Sequence, residues 1–293
     1  MNRFLERLNS GRVLVADGAT GTNLQNAGLA AGMHTEDWVI EHPDRILDLE
    51  KAFVAAGADL LLTCTFGGTS LRLRGAKYAN EVGRINRRAA ELAHEAASAR
   101  DEVLVAGSMG PIGQLLKPYG PIAAEEARAA FAEQAQALKE GGVDLLVLET
   151  HFAFEEVDAA IEGLRSVTDL PFVVSFSYDR GTRTMMGVKP VEVVRKYKSL
   201  GASLVGANCG TTLENMEAVL KEYAGAEAGF PLWAKPNAGM PRLEGQETVY
   251  DVTPEQMAES ALKSVRLGAR VIGGCCGSTP EHLAAIANAV RQN

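Results

Sequence analysis

Short, near-continuous apolar runs alternate with longer amphipathic segments eight times along this chain, and that rhythm limits the folds open to it. The runs are Val13–Ala16, Asp59–Thr63, Val103–Gly107, Asp144–Glu149, Phe172–Phe176, Ser203–Ala207, Leu232–Lys235 and Val271–Gly274. Runs of this kind suit parallel strands covered on both faces. Helical periodicity fills the intervals, as in Asp44–Ala56, Glu81–Ser98, Ala124–Glu140, Pro190–Leu200 and Pro254–Leu267. Gly57, Gly141-Gly142, Gly201 and Gly268 stand where helices should stop. Pro43, Pro254 and Pro280 stand where helices should start. Eight strands, each followed by a helix, predict an α/β chain folded as a single (β/α)8 TIM barrel, one domain over residues 1–293. A doubly wound open sheet would need a linker or a strand-only region, and neither is visible.

A net charge of -8 and a pI near 5.3 argue against nucleic acid or an anionic membrane as the main partner. No apolar run reaches the roughly 18 residues of a membrane span, and the start lacks the apolar segment of a secretory signal. With only four cysteines, the expectation is a cytoplasmic protein with reduced thiols and no disulfide framework.

Three of those cysteines stand where strands end: Cys209 after the sixth run, and Cys275 and Cys276 after the eighth. Two strands apart around a barrel is roughly 10 Å, a gap that side chains from both can close around a metal with Zn–S bonds of about 2.3 Å. In a regular strand Cys275 and Cys276 would point to opposite faces. The flanking Gly273, Gly274 and Gly277 are expected to supply the non-strand dihedrals that turn both sulfurs one way. Three thiolates with one open position form a zinc site suited to binding a fourth thiol and lowering its pKa, and so to alkyl transfer onto sulfur. The alternative is three small buried hydrophobes in a packed rim. Cys64 is expected to pack only. Of the histidines, only His151 is placed to approach the rim, in a supporting role.

Asp17 and Glu149 end the first and fourth runs on the same rim. Beside a thiol-binding metal they would hold an ammonium group. The backbone N–H groups of Gly18 and Ala19 would take a carboxylate. An amino-acid thiol, homocysteine or cysteine, is the implied substrate. A hydrolase using Asp17 and Glu149 as acid and base is the competing enzyme class, and a non-catalytic thiol-binding subunit is a third.

Together these motifs resemble the homocysteine S-methyltransferase family over nearly the whole chain. They are Asp17-Gly18-Ala19-Thr20-Gly21-Thr22, Thr63-Cys64-Thr65-Phe66, Gly107-Ser108-Met109-Gly110-Pro111, Leu148-Glu149-Thr150, Gly206-Ala207-Asn208-Cys209, Lys235-Pro236-Asn237-Ala238-Gly239 and Gly273-Gly274-Cys275-Cys276-Gly277. The resemblance implies that Cys209, Cys275 and Cys276 bind Zn2+ and that Asp17, Gly18, Thr63 and Glu149 help to hold homocysteine. Gly110-Pro111, the Pro236 to Gly239 run and Thr248-Val249-Tyr250 look like the homocysteine module of cobalamin-dependent methionine synthase. That implies methyl transfer from methylcobalamin carried by a corrinoid protein in trans. The betaine-using branch carries a Trp in the first loop, whose place here falls near His34, with Trp38 off register. S-methylmethionine, S-adenosylmethionine or betaine is the alternative donor, and a homo-oligomer is left open.

Overall fold

The structure, a computed structural model, describes residues 2–30, 32–245 and 247–292. Its strands follow the apolar runs: β1 (Leu14–Val15), β2 (Leu60–Leu62), β3 (Leu104–Met109), β4 (Leu145–His151), β5 (Phe172–Phe176), β6 (Leu204–Cys209) and β7 (Leu232–Pro236). A small antiparallel hairpin, β8 (Arg242–Glu244) and β9 (Glu247–Val249), interrupts the sequence before β10 (Ala269–Ile272). The large sheet runs β1-β10-β7-β6-β5-β4-β3-β2, with every pair parallel. A parallel bridge from Ala16 to Leu60 brings its two ends together. This is the (β/α)8 barrel that the alternation predicts.

Helix α1 (Arg3–Asn9) precedes the barrel, and α2 (Thr20–Asn26), α3 (Asp37–Glu41) and α4 (Pro43–Ala56) follow β1. Then α5 (Val82–Ala97), α6 (Ala124–Glu140), α7 (Phe154–Arg165), α8 (Pro190–Ser199), α9 (Leu213–Ala226), α10 (Pro254–Arg266) and α11 (Pro280–Gln292) each return the chain to the next strand or end it. Sequence periodicity missed α1, α2 and α3, which span seven, seven and five residues. Two turns or fewer are too short for a 3.6-residue period to register. The hairpin was missed because its first strand is wholly exposed and carries no core face.

Along each strand the residues alternate between two cores. Leu14, Leu60, Leu62, Leu104, Ala106, Leu145, Val147, Val173, Leu204, Trp233 and Val271 fill the barrel interior, and Phe4 of α1 joins them. Val15, Leu61, Val105, Leu146, Val174, Val205, Ala234 and Ile272 pack outward against the helices. Followed two residues further, the inward series leaves the apolar plug and becomes polar. Ala106 gives way to Ser108, Val147 to Glu149, Val173 to Ser175 and Trp233 to Lys235, and Asn208 lies four residues beyond Leu204. All five polar residues are buried, so the plug carries a polar layer at the C-terminal end of the strands.

Few ladder bonds cross the seam between β1 and β2, which closes the barrel. Asp59 N donates to Val15 O at 2.6 Å and Asp17 N to Leu60 O at 3.0 Å. Two carboxylates add to these. Asp59 Oδ2 accepts from Val15 N at 3.1 Å, and Asp17 Oδ2 accepts from Leu62 N at 2.7 Å. Asp59 is buried at the N-terminal end, where the guanidinium groups of Arg100, Arg291, Arg7 and Arg12 lie 3.0, 3.3, 3.6 and 3.6 Å from Oδ1. Asp59→Ala orphans a buried N–H and removes the shared counter-charge. Because the arginines are partly solvated, we expect a loss of about 3 kcal/mol in urea unfolding. A loss below about 1 kcal/mol would show that the backbone bonds alone hold the seam.

Candidate functional site

One cavity of about 350 Å³ opens over the polar layer, and Asp17, Gly18, Ala19, Thr63, Glu149, Cys209, Cys275 and Cys276 all line it. The sulfurs of Cys209, Cys275 and Cys276 lie within 4.8 Å of one another. Cys209 closes β6, where its register partner is Pro236 of β7. Its φ of 55° is left-handed, as is the 63° of Thr150 beside it, and no other described non-glycine residue has a positive φ. Left-handed backbone is strained for a side chain with a Cβ, so the chain accepts that cost where it aims the Cys209 sulfur.

The cysteine pair lies beyond the strand, because β10 ends at Ile272. The glycines around it act differently from the expectation of free dihedrals at all three. Only Gly277 has a left-handed φ, 79°. Gly273 and Gly274 are required for space: a Cβ at Gly273 would stand 2.7 Å from the carbonyl oxygens of Ala16 and Asp17, and one at Gly274 would stand 2.3 Å from Ser278 Oγ. The turn is then pinned by Gly274 N donating to Asp17 O at 3.1 Å, Cys275 N to Pro236 O at 2.8 Å and Ser278 N to Cys275 O at 3.0 Å. Both sulfurs reach Cys209 because the strand has already stopped.

Three thiols this close share protons. Hydrogen bonds from Cys209 and Cys275 pull the Cys276 pKa down, and the same contacts push Cys209 well up. The three thiols therefore titrate as one cluster, in which shared hydrogen bonds favour a first thiolate. Cys209 Sγ and Cys275 Sγ are 3.0 Å apart, between the roughly 2.05 Å of a disulfide and the roughly 3.8 Å across a tetrahedral Zn–S site. These three sulfurs are the only group of potential metal ligands found among the described residues. The ring of Tyr250, just past the hairpin, packs over Gly277. Burial and the neighbouring thiolates push its phenol up to about 12.

The acids sit in unequal surroundings. Asp17 Oδ1 accepts from the buried ammonium of Lys235 at 2.6 Å, and its other oxygen is bonded to Leu62 N. Burial alone would lower the Lys235 pKa, but the nearby Asp17 and Glu149 outweigh it, so Lys235 keeps its proton. Burial pushes the Asp17 pKa up, against the opposing pull of Lys235 and of the Leu62 N–H, but the 2.6 Å contact leaves this carboxyl already engaged within the chain. Glu149 has no such partner among the described residues; Ser108 Oγ donates to its Oε1. Burial raises the Glu149 pKa to about 7, and the Cys275 charge adds to the rise against the opposing pull of Lys235. The Ala19 N–H, expected to be free for a carboxylate, is spent on Ser278, 3.1 Å from Oγ and 3.3 Å from the carbonyl oxygen. The Thr63 hydroxyl accepts from Ser108 N at 3.1 Å and lies 2.6 Å from Thr65 Oγ1.

Lys235, Ser108 and Asn208 belong to this site, yet sequence reasoning gave none of them a role. The period-two continuation of the inward strand positions was the signal that could have found them. Cys64 also lines the cavity, but its thiol bonds to Thr35 O at 3.6 Å, and burial pushes its pKa well above the ordinary value. His151 is fully buried below the rim, 3.3 Å from Met109 O. His94 bonds Gly142 O and His282 bonds Val252 O, both away from the sulfurs. A second groove of about 490 Å³ adjoins the cavity, shares Phe66 and Thr150 with it, and is lined further by Arg72, Phe152, Met185 and Met186.

No helix among the described residues is long and apolar enough to cross a membrane. The methionine synthase of Mycobacterium leprae is 30% identical over 295 residues, which cover 95% of this chain and 24% of that protein. The methionine synthase of Mycobacterium tuberculosis is 29% identical over 297 residues, covering 96% and 25%. The chain thus spans about a quarter of the length of these relatives. The metallated form of the homocysteine methyltransferase MmuM from Escherichia coli superposes with a TM-score of 0.82 at 26% identity, covering 98% of this chain and 99% of that one. Its oxidized form gives 0.82 at 27% identity with the same coverage. Residues 14–290 match the family described as homocysteine S-methyltransferase, and with that match over the barrel and its cysteine cavity, the chain belongs to the homocysteine S-methyltransferase family.

Proposed function

We propose that this protein is a zinc-dependent methyltransferase that moves a methyl group to the thiol of homocysteine and so forms methionine. The observation that carries this reading is the convergence of three sulfurs within 4.8 Å in one cavity with Glu149 and the Asp17–Lys235 pair. Cys209, Cys275 and Cys276 would hold the ion. Zinc bound there supplies an open position that takes the substrate thiol and lowers its pKa from about 8.5, so that it is a thiolate at neutral pH.

The chain's own residues do the rest. Glu149, the rim acid without an internal cation of its own, takes the ammonium of the amino acid. Asp17 is less able to do so, because Lys235 already occupies it, and it instead fixes the mouth of the barrel from which the substrate is held. Of the amides expected to bind the carboxylate, Gly18 N–H has no partner among the described residues, whereas Ala19 is engaged by Ser278. Thr63 positions Ser108, which in turn orients Glu149. The substrate sulfur attacks the donor's methyl carbon; the new S–C bond forms as the carbon–donor bond breaks, and the donor keeps that bonding pair. This assignment disfavours a hydrolase: an acid–base pair needs two exchangeable carboxyls, and Asp17 is locked in an ion pair.

The donor in this reading is a methylated corrinoid protein acting in trans. The similarity to a quarter-length part of two methionine synthases supports it. So does the adjoining groove, since exposed Phe66, Met185 and Met186 form an adaptable apolar approach to the sulfurs. In the loop after β2, Arg74 pairs with Glu126 and Lys77 with Glu41; the Arg72 guanidinium has no ion-pair partner among the described residues and lines that groove. Free thiols at the centre of the site fit a reducing compartment, the cytoplasm.

Protein purified without chelator should hold about one zinc and convert homocysteine to methionine with one member of a panel comprising methylcobalamin, S-methylmethionine, S-adenosylmethionine and betaine. Each of Cys209→Ser, Cys275→Ser and Cys276→Ser should lose the metal and the turnover together. Less than half an equivalent of zinc in the parent protein would sink the reading.

Glu149 gives a pH signature. With its pKa raised to about 7, the carboxylate that pairs with an ammonium is present above that pH and lost below it. Methionine, which carries the ammonium but no titrating thiol, should bind more tightly as pH rises through 7 and more weakly as it falls. In Glu149→Gln, calorimetry should show binding at least tenfold weaker and flat over that window. A wild-type affinity that does not change between pH 6 and 8 would show that Glu149 does not hold the ammonium.

A further inference from the structure

Asn208 lies on β6 immediately before the first metal-facing cysteine and is fully buried. A side-chain amide has two acceptor positions on oxygen and two hydrogens on nitrogen, and all four are engaged here. Oδ1 accepts from Thr150 N at 2.9 Å and from Ser175 Oγ at 2.6 Å. Nδ2 donates to Thr150 Oγ1 at 2.7 Å, and it reaches Cys209 Sγ at 3.5 Å and Cys275 Sγ at 3.8 Å. A backbone N–H can only donate, so Thr150 N decides which end of the amide it meets. The oxygen must face Thr150, and the N–H must face the sulfurs. Turned over, the amide would set two N–H groups against each other and aim lone pairs at the sulfur cluster.

The same amide holds the two strained residues. Thr150, with φ 63°, is gripped at both its N–H and its hydroxyl, and Cys209, with φ 55°, follows Asn208 directly. Left-handed backbone at such residues persists only when the surroundings over-determine it. Asn208 ties both to Ser175 of β5, the strand between them.

We propose that Asn208 is a positioning residue that also withdraws electron density from the Cys209 and Cys275 sulfurs through its side-chain N–H. The proposal rests on the metal reading above. Three thiolates around a divalent ion leave the site with net negative charge, and a fourth deepens it. An N–H directed at two of the three sulfurs weakens their donation, so the ion draws more strongly on the substrate sulfur. Asp at this position would match the shape and reverse the effect, placing a charged oxygen against the thiolates.

The test uses the full chain loaded with cobalt(II), whose thiolate-to-metal charge-transfer band reports the electron density on sulfur. In Asn208→Ala the band should move to longer wavelength, and because losing the bonds that hold Thr150 and Cys209 in place outweighs the stronger sulfur donation, zinc should be held at least tenfold less tightly in competition with a chelator. Ser175→Ala, which loses a donor to Oδ1 but leaves the N–H on sulfur, should keep the wild-type band. An Asn208→Ala protein that binds cobalt with an unmoved band, or a Ser175→Ala protein whose band moves as far, overturns the proposal. If Asn208→Ala does not fold, the wild type loaded with NMR-active cadmium decides. Through-bond coupling from the metal to the Asn208 side-chain amide proton supports the proposal, and its absence overturns it. A wild type that binds no metal overturns the metal reading as well, whereas an unmoved band in a metal-loaded variant overturns only the role of Asn208.

Discussion

The buried ion pair of Asp17 and Lys235 joins the fold to the site. At 2.6 Å, with both side chains 3% exposed, it is a pair that neither partner could leave without stranding a charge. Asp17 also takes the Leu62 N–H across the seam, and its carbonyl accepts from Gly274 N. One residue therefore ties β1 to β2, to β7 through Lys235, and to the turn that carries two of the three cysteines.

Charge in the cavity follows from this arrangement. Lys235 satisfies Asp17 and places a cation among three thiols and Glu149. Glu149 is left as an acid whose burial holds it near neutrality. Two rim carboxylates that look alike in sequence thus differ in kind: one completes the barrel and the other is poised to meet a charged group. Strain is concentrated on the same rim, where the left-handed Thr150 and Cys209 adjoin one buried asparagine. Bonds that fix the backbone there also fix the sulfurs.

Much of the barrel was legible from pattern. Parallel strands buried on both faces need continuous apolar runs, so Leu145 to Leu148 or Leu204 to Ala207 can hardly be read otherwise. Helix ends at Gly57, Gly201 and Gly268 carry the left-handed φ that their position predicts. What escaped were α1, α2, α3 and the hairpin, because elements this short have no period to detect. Phe4 shows the cost: a single aromatic near the start fills the barrel floor, and nothing local in its sequence reports that role.

The sequence by itself determined the element order, the parity that sends Ser108, Glu149, Ser175 and Lys235 inward, and the cysteines at two strand ends. These depend on local periodicity and on chain order around a closed ring. Only the tertiary structure decided which groups are already spent. It engaged Ala19 N–H with Ser278, paired Asp17 with Lys235 across 218 residues, and gave Gly273 and Gly274 a steric role where a conformational one was expected. Hydrogen-bond capacity is exhausted by neighbours in space. The neighbours that exhaust it here come from strands far apart in the chain, and no local pattern of residues can name them.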